Sequence, residues 1–439
     1  METYCVKNTD RKINAAVSVP GSKSVTNRAL LMAALSDGKT TLNGVLFSDD
    51  SRHFLDCLIS LGFDVDINEE KKIVSVVGCN GEIPQKTARI DVGSAGTAAR
   101  FITAMLALSE GEYVINCSEQ MKARPMDSLF DSLTKLGAEF EYLEEEGHLP
   151  AKVMGRGKKC AGEKCVTQVD ISKSTQFLSA LMMAGCMIKE GLDIVITSEK
   201  TTGSYVLITS SMMRDFGCMV EYDGHDYHIA KNQSYKSGEY DIEPDISAAC
   251  YFWGMAAVTG GSVKVNGVKK NMMQGDMKFL DVLRKMGCEV SEETDGVRVS
   301  APENGKLLGV DVNMNDFSDQ TMTLAAIAPF AEGTTRIRNI GHIRLQESDR
   351  IEGILENLNT IGADAGLLRS SEDGKICEGI YINGKSTLRG GRIKTYNDHR
   401  MAMAFALCGL KVPGVVIEDP MCCRKTFENY FEVFDALVQ

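Results

Sequence analysis

The sequence has no apolar run of about 18 residues, so it predicts no membrane-spanning helix. Its first stretch, METYCVKNTDRK, lacks the apolar segment that secretory signal peptides contain. There are 48 Lys and Arg residues against 60 Asp and Glu, and this acidic balance disfavours a nucleic-acid-binding protein. We therefore expect a cytoplasmic protein, in which a local cluster of Lys and Arg indicates a specific anionic ligand.

Cofactor and metal motifs are missing as well. The sequence contains no P-loop, no GxGxxG after a strand, no HExxH and no paired CxxC. The stretch YDGHDYH, with His225 and His228, favours an exposed hairpin over a metal site, and Cys160 and Cys165 have no histidine at a ligand spacing. The fourteen cysteines are scattered, which is typical of reduced thiols. We predict no metal and no organic cofactor.

The chain does contain an internal repeat. Amphipathic helix patterns end in LxxLG or a close relative, and their glycines lie 70 to 80 residues apart, at Gly62, Gly137, Gly217, Gly287 and Gly362. A glycine just beyond a helix end favours the left-handed backbone that terminates helices. Two short alternating stretches follow each glycine and predict a hairpin. The clearest is EVSEETDGVRVSA, with Asp-Gly at its turn.

A second pattern interleaves with the first. Six segments rich in small apolar residues predict buried helices: SVTNRALLMAAL, GTAARFITAMLAL, STQFLSALMMAG, DISAACYFWGMAA, DQTMTLAAIAPFA and DHRMAMAFALCGL. A β-like run follows each one, so the repeat consists of a buried helix, a strand, an amphipathic helix and a hairpin. A coincidence of common α/β patterns is the alternative, but six matches at nearly constant spacing disfavour it.

These repeats predict an α/β fold with two similar domains, each made of three helix-strand-helix-hairpin repeats around buried parallel helices. The sixth repeat ends with the amphipathic helix FENYFEVFDALVQ and lacks a hairpin. We expect the N-terminal stretch YCVKNTDRKINAAVSVP to supply that hairpin by pairing with the C-terminal part. One domain would then comprise residues 21–244, and the other residues 1–20 plus 245–439.

Cations and hydroxyls gather where the buried helices begin. A helix N-terminus presents unpaired N–H groups and partial positive charge, which makes it a natural anion site. The groups at four such starts are Lys23, Ser24, Arg28, Gly93, Ser94, Gly96, Thr97, Arg100, Ser172, Lys173, Ser174, Thr175, Gln176, Asp398, His399 and Arg400. Further cations lie in loops, at Lys122, Arg124, Arg344, Arg350, Arg424 and Lys425. Each group taken alone could be a simple cap or a solvated side chain, but their recurrence predicts ligands with several negative charges.

Two carboxylates accompany these cations. Asp319 opens the fifth buried helix and Glu347 lies in the segment QESDR. Either could be a helix-capping or first-turn acid. Among cations, a carboxylate can instead take a proton from a hydroxyl, and Lys23 can return one.

Together these stretches resemble the 5-enolpyruvylshikimate-3-phosphate (EPSP) synthase family. PGSKSVTNRALLMAAL, GSAGTAARF, RPM, STQF, SDQTMT, QESDRI, YNDHRMAM and DPMCCRKTFENYF occur in the family's order and span nearly the whole chain. The resemblance implies the enolpyruvyl transferase fold, with a cleft between two domains. It also implies a shikimate-pathway transferase for chorismate and aromatic amino acid biosynthesis. The enzyme would move the enolpyruvyl group of phosphoenolpyruvate to the 5-hydroxyl of shikimate 3-phosphate, through a tetrahedral intermediate, and release phosphate.

The resemblance also implies site residues and partners. Shikimate 3-phosphate would contact Lys23, Ser24, Arg28, Ser174, Thr175, Gln176, Thr202, Asp319, His342 and Gln346. Phosphoenolpyruvate would contact Lys23, Ser94, Gly96, Arg124, Gln176, Arg350, Arg400 and Lys425. Asp319 would be the base on the 5-hydroxyl, and Glu347 with Lys23 would manage the proton at the methylene carbon. The domain of residues 21–244 would carry most shikimate 3-phosphate contacts and the other domain most phosphoenolpyruvate contacts, in a cytoplasmic monomer.

A few positions depart from the common family pattern. Ser94 and His342 stand where Asn is common, and Gln346 stands where a Lys usually contacts shikimate 3-phosphate. Phe101 replaces a usual Pro, whereas Gly96 is retained and leaves room for phosphoenolpyruvate, so we expect inhibition by glyphosate.

Two other functions compete with this one. The sister transferase that acts on UDP-N-acetylglucosamine usually has a reactive Cys on a loop, but here that region, SEQMKARPMDSL, offers none beyond Cys117. A non-catalytic anion-binding protein on the same scaffold is the other alternative. The joint presence of Lys23, Asp319 and Glu347 disfavours it.

Overall fold

The computed structural model describes residues 2–156, 164–372, 375–384 and 387–439. Cys160 lies outside these ranges, so the prediction about it has no structural counterpart. The chain divides into two compact units. Unit 1 combines the residues up to Pro20 with Pro244–Gln439, and unit 2 is the contiguous stretch Gly21–Glu243. None of the helices in the described ranges has the length and hydropathy that crossing a bilayer requires.

Unit 2 contains three successive repeats. The strands β1 (Thr3–Cys5) and β2 (Asn14–Val17) precede it and belong to unit 1. The first repeat has α1 (Lys23–Leu35), β3 (Asp37–Asn43), α2 (Asp49–Ser60), β4 (Asp64–Asn68) and β5 (Ile73–Cys79). The second has β6 (Thr87–Asp91), α3 (Gly96–Ala107), β7 (Glu112–Asn116), α4 (Glu119–Lys122), α5 (Asp127–Lys135), β8 (Glu139–Tyr142) and β9 (Ala151–Met154). The third has β10 (Cys165–Val169), α6 (Gln176–Gly185), β11 (Leu192–Ile196), α7 (Ser204–Asp215), β12 (Val220–Tyr222), β13 (Tyr227–Ile229) and β14 (Glu239–Asp241).

Each repeat of unit 2 contributes the central strand and the hairpin of one four-stranded sheet. The strand orders are β14-β3-β5-β4, β6-β7-β9-β8 and β10-β11-β13-β12. In every sheet an edge strand runs parallel to the strand that follows the buried helix, and the hairpin completes the other side in antiparallel fashion. The edge strand of the first sheet, β14, comes from the end of the unit, so the last segment of unit 2 closes against its first repeat.

Unit 1 repeats this pattern. Its remaining elements begin with α8 (Ile246–Thr259), β15 (Ser262–Asn266), α9 (Phe279–Lys285), β16 (Glu289–Glu293), β17 (Gly296–Ser300), β18 (Leu307–Leu308) and β19 (Asp311–Asn313). They continue with α10 (Thr321–Ile327), β20 (Ala331–Glu332), β21 (Thr334–Arg338), α11 (Arg350–Thr360), β22 (Asp364–Glu372), β23 (Lys375–Asn383), β24 (Arg392–Ile393), α12 (His399–Gly409), β25 (Val416–Glu418) and α13 (Tyr430–Val438). The sheets have the orders β2-β15-β17-β16, β19-β21-β23-β22, β1-β25-β24 and β18-β20.

The predicted N-terminal hairpin is wrong. β1 pairs antiparallel with β25, as expected for a partner of the C-terminal part, but β2 pairs parallel with β15 in a different sheet. The reason is topological, because each repeat needs a parallel edge strand before its central strand. The strand just before α8, β14, already fills that position in unit 2, so β2 takes it in the fourth repeat.

The buried helices and the hairpins are otherwise as predicted. All residues of α3, α8 and α12 are buried, α8 packs with α10 and α12, and α3 packs with α1 and α6. Each fully buried Leu or Phe contributes about 1.5–3 kcal/mol of stabilisation, which explains why these helices form the core. The hairpin after Gly287 turns at Thr294 and Asp295, so Gly296 already belongs to β17.

The five repeat glycines lie just beyond their amphipathic helices. Gly62, Gly137, Gly217, Gly287 and Gly362 have φ values of +86°, +97°, +86°, +98° and +79°. Residues with a side chain rarely adopt this left-handed backbone conformation, whereas glycine adopts it without strain. The predicted role of these glycines in ending the helices is confirmed.

Candidate active site

The N-terminal halves of three buried helices are linked to one another in unit 2. Nδ2 of Asn27 in α1 donates to Oγ1 of Thr97 in α3 at 2.6 Å. Nη1 of Arg100 in α3 donates to Oε1 of Gln176, the first residue of α6, at 3.1 Å. We call Lys23, Arg28, Arg100, Arg124 and Gln176 the unit 2 cluster. Because helix N-termini and basic side chains come together here, the cluster is suited to binding anions.

Lys23 lies at the first position of α1 and pairs with a carboxylate that the sequence analysis missed. Its Nζ is 3.1 Å from Oδ2 of Asp50 in the first turn of α2, and both side chains are largely buried. This pairing could not be predicted from the sequence, because an acid at the start of an amphipathic helix is explained by the helix dipole alone. The ion pair positions the Lys23 ammonium among the helix starts.

Arg28 lies one turn further along α1 and is almost fully buried. Its Nε donates to Oγ1 of Thr209 at 2.7 Å, its Nη1 donates to the carbonyl of Ser24 at 3.0 Å, and its Nη2 reaches Ser179 and Tyr205. Burial lowers the pKa of this guanidinium to about 10. Arg28 is therefore held rigidly by the protein, and it remains charged at neutral pH.

Gly96 lies against two guanidinium groups. A Cβ at this position would be 2.4 Å from Nη1 of Arg124 and 2.6 Å from Nη1 of Arg100, so a side chain here would displace both. Nη1 of Arg124 also lies 3.5 Å from the carbonyl oxygen of Ser94. Burial, and then the neighbouring charge of Arg124, lower the pKa of Arg100. An anion that neutralised this pair of like charges would be stabilised here.

The predicted hydroxyl groups lie close to the start of α6. Oγ of Ser174 accepts from the backbone N–H of Gln176 at 3.2 Å, and Thr175 is the N-cap residue of the helix. Thr202 lies in the segment just before α7, and its side chain is half-buried. Serine and threonine hydroxyls at helix starts can donate to an anion while the backbone N–H groups point toward it.

Several of the predicted cations, from loops and from the start of the third buried helix, form ion pairs outside this cluster. Lys122 lies 2.8 Å from carboxylate oxygens of both Glu119 and Glu144, and Nζ of Lys173 lies 2.7 Å from Oδ2 of Asp127. In unit 1, similar surface pairs hold Arg344 to Asp349 and Glu378, and Arg424 to Glu428. These side chains retain much of their exposure, so they form the ordinary solvated ion pairs that the alternative interpretation expected.

In unit 1 the charged residues form a dense network around Arg350. Its Nε donates to Oδ2 of Asp398 at 2.7 Å, and its Nη1 donates to Oδ1 of Asp319 at 3.0 Å. Burial opposes the charge on Arg350, but Asp398, Asp319 and Glu347 together raise its pKa above the usual value. We call Asp319, Glu347, Arg350, Asp398, His399, Arg400 and Lys425 the unit 1 cluster.

Asp319 connects Arg350 to a second arginine. It lies in the 3₁₀ turn Ser318–Gln320, which leads directly into α10. Its Oδ2 accepts from Nη2 of Arg400 at 3.0 Å, while its Oδ1 accepts from Arg350. One carboxylate thus bridges two guanidinium groups that come from the starts of α11 and α12.

Glu347 occupies the other side of the unit 1 cluster. Its Oε2 lies 3.1 Å from Nδ1 of His399 and 3.9 Å from Nζ of Lys425. Nζ of Lys425 also donates to the carbonyl of Asn397 at 2.9 Å. An imidazole and an ammonium therefore fix the orientation of this carboxylate, as a proton-transfer group requires.

Glu347, Asp398 and His399 bring ligand-type atoms within 4.8 Å of one another, an arrangement that metal sites share. Here, however, Arg350 contacts Asp398 and Lys425 contacts Glu347. Cations beside both carboxylates repel a metal ion, so the group fits an ion-pair network better than a metal centre.

A buried carboxyl group, Asp276, also belongs to these surroundings and was not singled out from the sequence. Its Oδ2 accepts from Oγ of Ser247, in the first turn of α8. Burial and then the charge of Asp319 raise its pKa above the usual value, against the lowering effect of Arg400. The surroundings therefore disfavour the charged form of Asp276.

Two of the positions that depart from the family pattern, Gln346 and His342, have protein partners in unit 1. Oε1 of Gln346 accepts from Nη1 of Arg350 at 2.7 Å, and Nε2 of His342 lies 2.8 Å from Oγ of Ser318. Gln346 thus replaces the usual cation with an acceptor for Arg350, and His342 contacts the residue that precedes Asp319.

Comparisons with known proteins agree with this picture. A family model described as EPSP synthase (3-phosphoshikimate 1-carboxyvinyltransferase) matches residues 7–434. A 3-phosphoshikimate 1-carboxyvinyltransferase of Trichormus variabilis is 42% identical over 439 residues and is covered in full, as is this chain. The 3-phosphoshikimate 1-carboxyvinyltransferase of Vibrio atlanticus is 40% identical over 430 residues, with 97% of each chain covered. A solved EPSP synthase structure from Acinetobacter baumannii has a TM-score of 0.81 at 23% identity, over 99% of this chain and 97% of that one.

The structural likeness shows the enolpyruvyl transferase fold, which confirms the predicted fold class. The chain belongs to the EPSP synthase family, as the sequence motifs predicted.

Proposed function

We infer that this enzyme transfers the enolpyruvyl group of phosphoenolpyruvate to the 5-hydroxyl of shikimate 3-phosphate and releases phosphate. Membership of the family supports the reaction. The observation that supports it from within the molecule is the unit 1 cluster. There Asp319 and Glu347, two carboxylates suited to proton transfer, lie beside Arg350, Arg400 and Lys425, three cations suited to an anionic substrate.

We assign shikimate 3-phosphate mainly to the unit 2 cluster and its neighbours. Lys23 and Arg28 supply charge, while Ser24, Ser174, Thr175, Gln176 and Thr202 supply polar groups. Arginine binds carboxylate and phosphate through paired N–H groups, whereas lysine acts as a compact charge. Asp319, His342 and Gln346 are the assigned contacts from unit 1, and Gln346 contributes an amide where a cation is usual.

Phosphoenolpyruvate is assigned mainly to Arg350, Arg400 and Lys425 of unit 1. Lys23, Ser94, Gly96, Arg124 and Gln176 of unit 2 complete the proposed contacts. Both substrates carry phosphate and carboxylate, which accounts for the concentration of cations at helix starts in an acidic chain.

The proposed mechanism is addition followed by elimination. Asp319 takes the proton of the 5-hydroxyl, whose oxygen attacks C2 of phosphoenolpyruvate, and Glu347 with Lys23 protonates the methylene carbon to a methyl group. The resulting tetrahedral intermediate then returns a methyl proton to Glu347 while the bond between C2 and the phosphate oxygen breaks. The leaving phosphate takes up the proton that Asp319 gained, and the double bond forms again. Cations that are already fixed by ion pairs stabilise the developing charge without reorganisation.

The two alternatives are less well supported. Burial raises the pKa of Cys117 to about 11, so this thiol is a poor match for the reactive Cys of the UDP-N-acetylglucosamine transferase. A purely anion-binding protein would not need Glu347 held between His399 and Lys425.

A phosphate-release assay separates the three functions. Purified enzyme is incubated with phosphoenolpyruvate and either shikimate 3-phosphate or UDP-N-acetylglucosamine. Release with shikimate 3-phosphate alone supports the proposal, release with the nucleotide sugar supports the sister transferase, and binding without release supports the anion-binding protein. We further propose a cytoplasmic monomer. Its mass in light scattering after gel filtration tests the oligomeric state.

A further inference from the structure

We propose that Asp319 is an exchangeable internal counter-anion. In this role its carboxylate occupies the guanidinium donors that an anionic group of phosphoenolpyruvate also uses, and arrival of that group frees Asp319 to act as a base. The inference rests on the proposed function and adds to it a coupling between substrate binding and the strength of the base.

The carboxylate of Asp319 and an anionic group of phosphoenolpyruvate would compete for the same two arginines. Its oxygens accept from Nη1 of Arg350 and from Nη2 of Arg400, both at 3.0 Å. A carboxylate or phosphate that binds these two arginines in a bidentate manner competes for the donors that Asp319 occupies. Such an anion would therefore replace Asp319 rather than bind beside it.

The other carboxylate on Arg350 is not exchangeable in this way. Asp398 accepts from Nε and Nη2 of Arg350, at 2.7 and 3.4 Å, and also caps α12 through the backbone N–H of Arg400. The Asp398 side chain is 0% exposed, whereas the Asp319 side chain is 15% exposed. Asp398 thus keeps Arg350 neutralised and oriented while Asp319, in its short 3₁₀ turn, changes partner.

The charges explain why the exchange would activate the base. Arg350, Arg400 and Lys425 balance Asp319, Asp398 and Glu347 in the unit 1 cluster. A carboxylate held by two guanidinium groups is a weak base, and it becomes stronger when those groups bind another anion.

The other charged groups near Asp319 also favour its uptake of a proton. Asp276, which precedes α9, and Asp319 repel each other electrostatically, and Asp245 at the start of α8 adds to the negative charge that acts on Asp276. His342 contacts the adjacent Ser318 and is the imidazole that faces this turn. Once the arginines bind the substrate, the remaining carboxylates around Asp319 favour its uptake of a proton.

Calorimetric titration of the full-length enzyme with phosphoenolpyruvate alone tests the exchange. Runs near pH 6 in two buffers of different ionisation enthalpy give both the affinity and the number of protons taken up. Asp319→Asn removes the competing charge and the titrating group, whereas Glu347→Gln removes a carboxylate of the same cluster that is held by His399 and Lys425. Protons that phosphoenolpyruvate itself binds or releases contribute equally to every titration, so they cancel when the proton uptake of a variant is compared with that of the wild type.

We expect Asp319→Asn to bind phosphoenolpyruvate about tenfold more tightly and to take up fewer protons than the wild type, since a counter-anion to charged donors is gone. Glu347→Gln should keep the proton uptake of the wild type. Equal or weaker binding by Asp319→Asn, or unchanged proton uptake, overturns the inference. Phosphate release with shikimate 3-phosphate is measured separately, so failure of the proposed function is recognised independently of this result.

Discussion

The carboxylate of Asp398 lies 2.7 Å from Nε of Arg350, and both side chains are almost completely buried. Removing one partner of a buried ion pair leaves the other charge uncompensated in a poorly solvated environment. We therefore expect Asp398→Asn to lower the free energy of unfolding by about 3 kcal/mol, measured by chemical denaturation. Phosphate release should fall as well, because Arg350 loses its fixed orientation.

A matched control is Asp349→Asn. Asp349 pairs with Arg344 at 2.7 Å, but both side chains are about one-third exposed, and Asn retains the capping function at α11. Its effect should stay below about 1 kcal/mol. Equal destabilisation by the two variants would contradict the importance that we assign to burial.

Lys23→Met tests the role of the ammonium at the start of α1. The substitution removes a proposed proton donor and a fixed charge, so we expect phosphate release to fall by about three orders of magnitude. It also leaves Asp50 without its ion-pair partner. The double variant Lys23→Met/Asp50→Asn should recover thermal stability but not activity. Near-normal turnover in either variant would refute the assigned role.

Gly96→Ala tests the packing of Gly96 against Arg124 and Arg100. The new methyl group would meet the far ends of these flexible side chains, so we expect the fold to be retained while the guanidinium groups shift. KM for phosphoenolpyruvate should rise by about tenfold, since a displaced charged hydrogen bond costs about that factor. Gly238→Ala, where an added Cβ has nothing within 4 Å, is the control and should leave KM unchanged.

Gly96→Ala and its control Gly238→Ala also test inhibition by glyphosate. We expect millimolar glyphosate to inhibit the wild type and Gly238→Ala, and to inhibit Gly96→Ala less. A wild-type curve that does not respond at millimolar concentrations would contradict the expected sensitivity.

His228→Gln tests a pH-dependent contribution to stability outside the site. Hydrogen bonds to Asp193 and Asp223 raise the pKa of His228 above 6.5. The stabilisation is therefore fully present below about pH 6.5 and is lost as the pH rises through the folded-state value. We expect the variant to be less stable than the wild type by about 0.5 kcal/mol at pH 6, with a smaller difference at pH 9.

The control for this prediction is His225→Gln, since His225 is more exposed and has a single carboxylate partner, Asp226. Thermal unfolding of both variants at the two pH values is the measurement. A difference for His228→Gln that grows with rising pH would show that the sign is wrong.

Periodicity was enough to predict the repeats, because helix-ending glycines and small apolar helices follow local rules. It could not assign β2 to the sheet of β15, since that pairing depends on which strand fills each sheet edge. The pattern alone favours pairing between strands that are neighbours in the sequence. The prediction of an N-terminal hairpin failed for that reason.

The candidate site was predictable in its cations but only partly in its carboxylates. Lys23 and Arg400 stood out as basic residues at helix starts in an acidic chain, Arg350 as a loop cation, and Asp319 and Glu347 as carboxylates beside cations. Asp50 and Asp276 did not, because acids near helix starts are common, and only tertiary structure shows which of them face a cation or one another.

The placement of β1 and β2 has a consequence for synthesis on the ribosome. Unit 2 is one continuous stretch of the chain, so it can fold while the remainder of unit 1 is still being translated. β1, by contrast, must wait for β25, more than 400 residues later, before it finds its hydrogen-bonding partner. An early segment thus stays unpaired through most of translation, and chaperone contacts during that interval should concentrate on it.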